Sequence, residues 1–136
     1  MINWSQQMHK LSFIGHIQTP FERLADCPNN VQKNGPECEI ILDPEFVDGL
    51  CGLREGQSVL VLYWFEGVDR SLVTQTRGAR GDGLKVGTFA LRSPHRPNPI
   101  AAATVPIHWI ADGRLGVRGM DCLNGTRLVD IKPATG

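Results

Sequence analysis

The chain has 136 residues, of which 41% are hydrophobic and 21% are charged, as is usual for a soluble globular protein. This length predicts a single domain over residues 1–136 and is too short for two. The 14 basic and 14 acidic side chains cancel, so net charge indicates no class of partner, and a nucleic-acid interface would need a local basic patch.

No targeting or membrane segment is evident in the sequence. Residues 1–10 are polar and lack the apolar segment of a signal peptide. No apolar run approaches the roughly 20 residues that a membrane-spanning helix needs. We therefore expect a cytoplasmic protein with no membrane partner.

Four cysteines, Cys27, Cys38, Cys51 and Cys122, form no Cys-x-x-Cys pair and have no histidine at zinc-finger spacing. A metal site is therefore not expected. We predict that they are small and mostly buried hydrophobic side chains. The alternative is a reactive thiol at Cys27, which lies in a polar stretch.

The predicted elements are short strands separated by turns. Residues 58–65 form the most hydrophobic run and predict a central strand covered on both faces. Asp43, Pro44 and Glu45 predict the start of one short helix that ends near Leu53. The segments that predict strands are, in chain order, 11–18, 37–42, 58–65, 71–76, 86–91, 100–109 and 114–118.

Two tight turns complete this pattern, at Asp112-Gly113 and Asn124-Gly125. Many short strands, glycine-rich turns and one weak helix are typical of an antiparallel all-β fold. The sequence therefore predicts an all-β protein built as a single antiparallel β-barrel with one short helix.

The segment 92–99, here called the proline loop, holds three prolines. Proline fixes φ and lacks an amide donor, so this segment is predicted to be a stiff loop and not a central strand. It would hold four polar side chains in fixed directions, suited to a carboxylate, a phosphate or a base edge. The alternative is a rigid surface connection. The four side chains are those of Arg92, His95, Arg96 and Asn98.

Positive charge is concentrated between residues 77 and 96, where Asp82 is the single acid. A local patch of this kind attracts a phosphate backbone whatever the net charge. The alternative is ordinary solvated surface. The basic residues are Arg77, Arg80, Lys85, Arg92 and Arg96.

The segment 121–133 is a second candidate, because its Asn124-Gly125 turn would expose backbone groups that can read an adenine edge. Asp121 and Asp130 bracket the turn and could bond ribose hydroxyls or orient Arg96. Taken alone, the segment indicates a simple hairpin.

Three segments together resemble the TsaA/TrmO-like family. Residues 13–21 (FIGHIQTPF) resemble the family's opening motif, 91–100 (LRSPHRPNPI) its signature, and 121–133 (DCLNGTRLVDIKP) its closing motif. The resemblance covers about residues 11–133, which would be the core of a single TsaA-like domain.

This resemblance implies a β-barrel homodimer that binds S-adenosylmethionine in a cleft at the dimer interface and methylates tRNA. The target implied is the exocyclic nitrogen of a threonylcarbamoyl-adenosine beside the anticodon. Carried over by position, the implied cofactor contacts are Pro28, Asn29, Asn30, Glu66, Gly67, Arg92, Ala102, Leu123, Asn124, Gly125 and Thr126.

The acceptor nitrogen must lose a proton, and the candidate bases are Asp121, Asp130 and Glu66. The sequence departs from the family pattern at Asn29, Asn30, Glu66 and Ala101. Two alternatives therefore stay open: methylation of another RNA or a small molecule, and a non-catalytic module that binds S-adenosylmethionine or RNA. The candidate RNA-binding residues are Arg77, Arg80, Lys85, His95, Arg96 and Asn98.

Overall fold

The computed structural model describes residues 9–76 and 83–135. Within these ranges the fold is built from strands and short 3₁₀ helices. The strands are β1 (Gly15–Gln18), β2 (Glu37–Leu42), β3 (Ser58–Trp64), β4 (Thr74–Thr76), β5 (Lys85–Gly87), β6 (Ile100–Pro106), β7 (Trp109–Ala111), β8 (Arg114–Arg118) and β9 (Thr126–Pro133).

Seven of the strands form one antiparallel sheet in the order β6-β3-β9-β1-β2-β8-β7. The prediction of an antiparallel, mostly β fold is therefore confirmed. Within the described residues, 9–76 and 83–135, no backbone ladder joins the edge strands β6 and β7. Closure into a barrel therefore stays a prediction.

Strand β3 lies between β6 and β9 and anchors the core. Its inward side chains Val59, Val61 and Tyr63 are buried. The side chains on the opposite face, such as Leu60, are only partly buried or exposed. The prediction that both faces are covered is therefore wrong. Arg70 stacks its guanidinium 5.2 Å from the centre of the outward Trp64 ring, which partly shields that face.

The predicted helix is a 3₁₀ helix over Pro44–Leu50, with Asp43 before it and the proline at its start. It ends three residues earlier than predicted. Two further 3₁₀ turns, Leu24–Asp26 and Thr88–Ala90, are each three residues long. In the described part of the chain, regular helix is limited to these short pieces.

Strands β4 and β5 form a separate two-stranded sheet that is bonded to the proline loop. The Gln75 side-chain amide donates to the His95 carbonyl oxygen at 2.6 Å, and the Arg70 Nε donates to the Pro97 carbonyl oxygen at 2.7 Å. The backbone amide of Asp69 donates to His95 Nδ1 at 3.0 Å. Side chains from two neighbouring segments thus hold the proline loop in place.

The predicted strand at residues 100–109 divides into β6 and β7. The predicted turn between β7 and β8 is confirmed, because Asp112 and Gly113 have φ of 51° and 75°, as a type I′ hairpin requires. This hairpin places β7 at the edge of the sheet.

The cysteines divide into two pairs. Cys38 and Cys122 are buried in the core, as predicted, whereas Cys51 is exposed and Cys27 is partly exposed. Burial raises the pKa of Cys122 to about 12, so this thiol stays protonated at neutral pH.

Within the described ranges, no helix is long and apolar enough to cross a membrane.

Candidate functional site

A cleft of about 1200 Å³ opens along the edge strand β6. Its walls come from three loops that are far apart in sequence: residues 27–33, the proline loop, and residues 121–126. Ligand pockets usually have volumes of about 300–1,000 Å³. This cleft therefore has room for more than one small molecule.

Arg96 fixes the shape of the proline loop. Its guanidinium donates to the carbonyl oxygens of Ser93 at 3.3 Å, Thr88 at 3.2 Å and Leu91 at 3.1 Å. These bonds commit three of its five N–H donors to the backbone. The hypothesis that aspartates orient Arg96 is therefore wrong, because backbone carbonyls hold it.

Removing this guanidinium should loosen the loop. We expect Arg96→Ala to lower the free energy of unfolding by about 1 kcal/mol, because three carbonyl oxygens lose their donor at partly buried positions. Urea denaturation of both proteins measures the change. Arg54→Ala, which removes an exposed arginine before β3, is the control and should shift the midpoint little. Equal midpoints for Arg96→Ala and wild type would contradict this role.

Arg92 bridges the proline loop and the edge strand. Its Nη2 donates to the Ala102 carbonyl oxygen at 2.6 Å while the side chain stays exposed along the cleft. Its positive charge also acts on Tyr63, where it opposes the rise in the pKa of that phenol. Arg92 therefore places a fixed cation on the cleft wall.

The closing turn, residues 123–126, is hydrogen-bonded to β1 and to the segment that follows it. The Asn124 amide donates to the Phe21 carbonyl oxygen and the Gly125 amide to the Ile17 carbonyl oxygen, each at 2.8 Å. These two amides are therefore committed within the protein, contrary to the expectation that the turn exposes them. An adenine edge at this turn would be read through carbonyl oxygens, which accept from its amino group.

The Asn124 side chain joins the closing turn to the segment that follows β1. Its Oδ1 accepts from the Thr19 amide at 3.2 Å, and its Nδ2 donates to the Glu22 carboxylate at 3.1 Å. An aspartate at this position would place a second carboxylate against Glu22. The asparagine therefore suits this chain's own neighbours.

Asp121 is the carboxylate most firmly held in the cleft. The Tyr63 hydroxyl donates to Asp121 Oδ1 at 2.6 Å. Burial first, and the nearby Asp121 charge second, raise the pKa of Tyr63 far above its ordinary value, so the phenol remains a donor. Glu66, by contrast, is exposed at the end of β3. Asp130 is not on the cleft wall and lies 3.5 Å from the Lys132 ammonium.

The structure brings most of the predicted cofactor residues together. All of them line the cleft except Gly67. Among the predicted RNA-binding residues, Arg96 lines the cleft, whereas Lys85, His95 and Asn98 do not. Arg77 and Arg80 lie outside the described residues.

Several cleft residues escaped the sequence analysis. The hydrophobic run predicts only a central strand for Tyr63, Trp64 and Phe65, although a tyrosine in a buried run signals a polar partner for its hydroxyl. Others carry no motif that marks them. The latter include Lys33, His108 and Arg118.

In the part of the chain that the structure describes, no three His, Cys, Asp or Glu side chains are grouped so that they could hold a metal ion.

Comparison with known families decides the relationship of the chain. Residues 16–135 match the model of the tRNA-methyltransferase O N-terminal domain. The chain belongs to this TrmO family. The match includes most of β1, the proline loop and the closing turn, so the family assignment and the cleft rest on the same segments.

Individual relatives agree with this assignment. The chain is 36% identical over 123 residues to VirR of Rhizobium radiobacter, named a probable S-adenosyl-L-methionine-binding protein, covering 90% of this chain and 69% of VirR. It is 31% identical over 131 residues to RcsF of Pseudomonas aeruginosa, named a putative S-adenosylmethionine-dependent methyltransferase, covering 92% of this chain and 54% of RcsF.

A solved structure shows the same fold. The crystal structure of TrmO from Pseudomonas aeruginosa superposes with a TM-score of 0.73 at 31% identity, over 95% of this chain. The chain spans 57% of that protein. The correspondence therefore concerns the TrmO N-terminal domain.

Proposed function

We propose that this protein is an S-adenosylmethionine-dependent methyltransferase and that the cleft beside β6 is its active site. One observation carries the proposal: the implied cofactor residues come from segments far apart in sequence, yet all but Gly67 line one cleft. Chance would not place the 28–30 segment, Arg92 and the closing turn on the same wall.

The residues present suit this cofactor. The exposed Arg92 guanidinium can pair with its carboxylate. The half-buried Asp121 adds a negative charge to the cleft wall. Leu123 and Ala101 add apolar surface for an adenosine. When bound, S-adenosylmethionine supplies an activated methyl group, so the protein mainly has to align the acceptor and exclude water.

The acceptor that we propose is the exocyclic nitrogen of threonylcarbamoyl-adenosine in tRNA. Membership of a tRNA-methyltransferase family supports this choice. The cleft volume of about 1200 Å³ also leaves room for a base beside the cofactor. The exposed Lys85 on β5 would meet the RNA backbone outside the cleft.

We propose the same assembly for this protein as the resemblance implies, a cytoplasmic homodimer built from closed barrels. The cleft lies open along β6, which is an edge strand of the sheet. A second copy covering this edge would exclude water from the cleft and shield the unpaired strand.

The proposal is tested by methyl transfer to RNA. The purified protein is incubated with methyl-labelled S-adenosylmethionine and total tRNA, and the tRNA is digested and its nucleosides identified by mass. We expect the label in methylated threonylcarbamoyl-adenosine. Label in another nucleoside would move the acceptor to a different RNA. Binding of the cofactor without transfer would favour the binding module, consistent with relatives named only as S-adenosyl-L-methionine-binding proteins.

A further inference from the structure

Two carboxylates of the described residues line the cleft, Glu66 and Asp121. They differ in how they are held. Glu66 is exposed just beyond β3. Asp121 is half-buried and receives the Tyr63 hydroxyl bond at 2.6 Å. A group that acts on a reacting atom must keep a fixed position, which favours Asp121.

Tyr63 is itself fixed by packing. Its side chain is 1% exposed and its backbone pairs with Ala101 on the edge strand β6. Its ring makes an edge contact with Phe65 at a centroid distance of 5.6 Å. The packed ring therefore holds the hydroxyl against Asp121, a residue that lies 58 positions later in the sequence.

We propose that Asp121 is the general base of the methyl transfer and that Tyr63 is its positioning residue. This rests on the proposed function. Because the phenol occupies Oδ1, Oδ2 is the oxygen that takes the proton. As the acceptor nitrogen bonds to the methyl carbon, its N–H bond breaks and the proton passes to Oδ2. The methyl–sulfur bond breaks with its electron pair left on sulfur, and Asp121 returns the proton to water.

The other candidates fit this step less well. Arg96 is hydrogen-bonded to backbone carbonyls, and its protonated guanidinium has no site that could accept a proton. His95 accepts the Asp69 amide at 3.0 Å and does not line the cleft. Asp130 is also absent from the cleft wall.

Kinetics of four proteins test the proposal: wild type, Asp121→Asn, Tyr63→Phe and the double variant. A positioned base contributes about 10²–10⁴-fold, so we expect Asp121→Asn to lower kcat at least 100-fold. Tyr63→Phe keeps the ring and should lower kcat about tenfold without raising KM. Asp121→Glu should recover part of the loss. The double variant should match Asp121→Asn, because Tyr63 acts through Asp121.

Binding and spectroscopy supply readouts that are independent of turnover. Calorimetry should give dissociation constants of Asp121→Asn for S-adenosylhomocysteine within threefold of wild type. The ¹³C resonance of the Asp121 carboxyl group in the ligand-free protein should shift in Tyr63→Phe, because one hydrogen bond is lost. Asp130→Asn is the matched control and should leave kcat unchanged.

Two results would overturn the inference while the proposed function stands. The first is tRNA methylation by wild type with kcat of Asp121→Asn within threefold of it. The second is weaker binding of S-adenosylmethionine alone with unchanged saturating kcat, which would make Asp121 a partner of the sulfonium. Absence of transfer by wild type to any nucleoside would instead remove the proposed function, and the base with it.

Discussion

Replacing Gly119 by alanine is expected to lower the free energy of unfolding by about 3 kcal/mol or more. Gly119 has a φ of 75°, and an added Cβ would lie 1.6 Å from the Gln32 carbonyl oxygen. The left-handed conformation alone costs a non-glycine residue about 1–2 kcal/mol. The clash adds to this, because it must break the 2.9 Å bond from the Gln32 amide to the Gly119 carbonyl oxygen. Urea denaturation gives the value.

Two control glycines separate the cost of the left-handed conformation from the cost of the clash. Gly56 has a similar φ of 85° but open space around its Cβ position, so Gly56→Ala should show the cost of the conformation alone. Gly49 has open space and no positive φ, so Gly49→Ala should be neutral or slightly stabilising. If Gly119→Ala were as stable as Gly56→Ala, the close approach of the Gln32 backbone to Gly119 would not contribute to stability.

The second large effect concerns Arg92. We expect Arg92→Ala to weaken S-adenosylmethionine binding by more than tenfold, equal to about 1.4 kcal/mol or more. The cause is the loss of a cation that is held on the cleft wall by its bond to Ala102. Titration calorimetry of both proteins measures the difference.

Two comparisons define the role of Arg92. Arg92→Lys keeps the charge but not the planar fork, so its affinity should lie between those of wild type and Arg92→Ala. The unfolding midpoint should change little in either variant, because the side chain is exposed. An unchanged dissociation constant in Arg92→Ala would remove this residue from the binding site.

Much of the fold could be predicted from local pattern. Strand Glu37–Leu42 was predicted with its observed bounds, because an apolar run follows a stretch that is dense in turn residues. The Asp112-Gly113 turn was predicted from residue types that tolerate positive φ. Residues 92–99 were predicted to form no strand, and proline chemistry is the reason.

The misses come from packing that no local pattern encodes. Strand β3 was expected to be covered on both faces, yet its outward residues Leu60 and Trp64 remain partly exposed beside the cleft. The predicted strand at 100–109 divides because its first part pairs with β3 and its last part pairs with β8. The role of Arg96 depends on three carbonyl oxygens whose directions only the folded loop fixes.

The candidate site was predictable in its membership and not in its internal bonds. The resemblance brought the 28–30 segment, Ala102 and the closing turn to one site, and these do line one cleft. The bond between Tyr63 and Asp121 joins positions 58 residues apart, and neither residue type implies the other. Such a pair follows only from the tertiary structure.

The measurement that tests the central claim most directly is calorimetric titration of the wild-type protein with S-adenosylmethionine, repeated with Arg92→Ala. We expect one cofactor per chain, bound more than tenfold more weakly by the variant. This result would tie the cofactor to the cleft beside β6. A wild-type protein that shows no binding heat and no thermal stabilisation by the cofactor would contradict the claim that this cleft is a methyltransferase site.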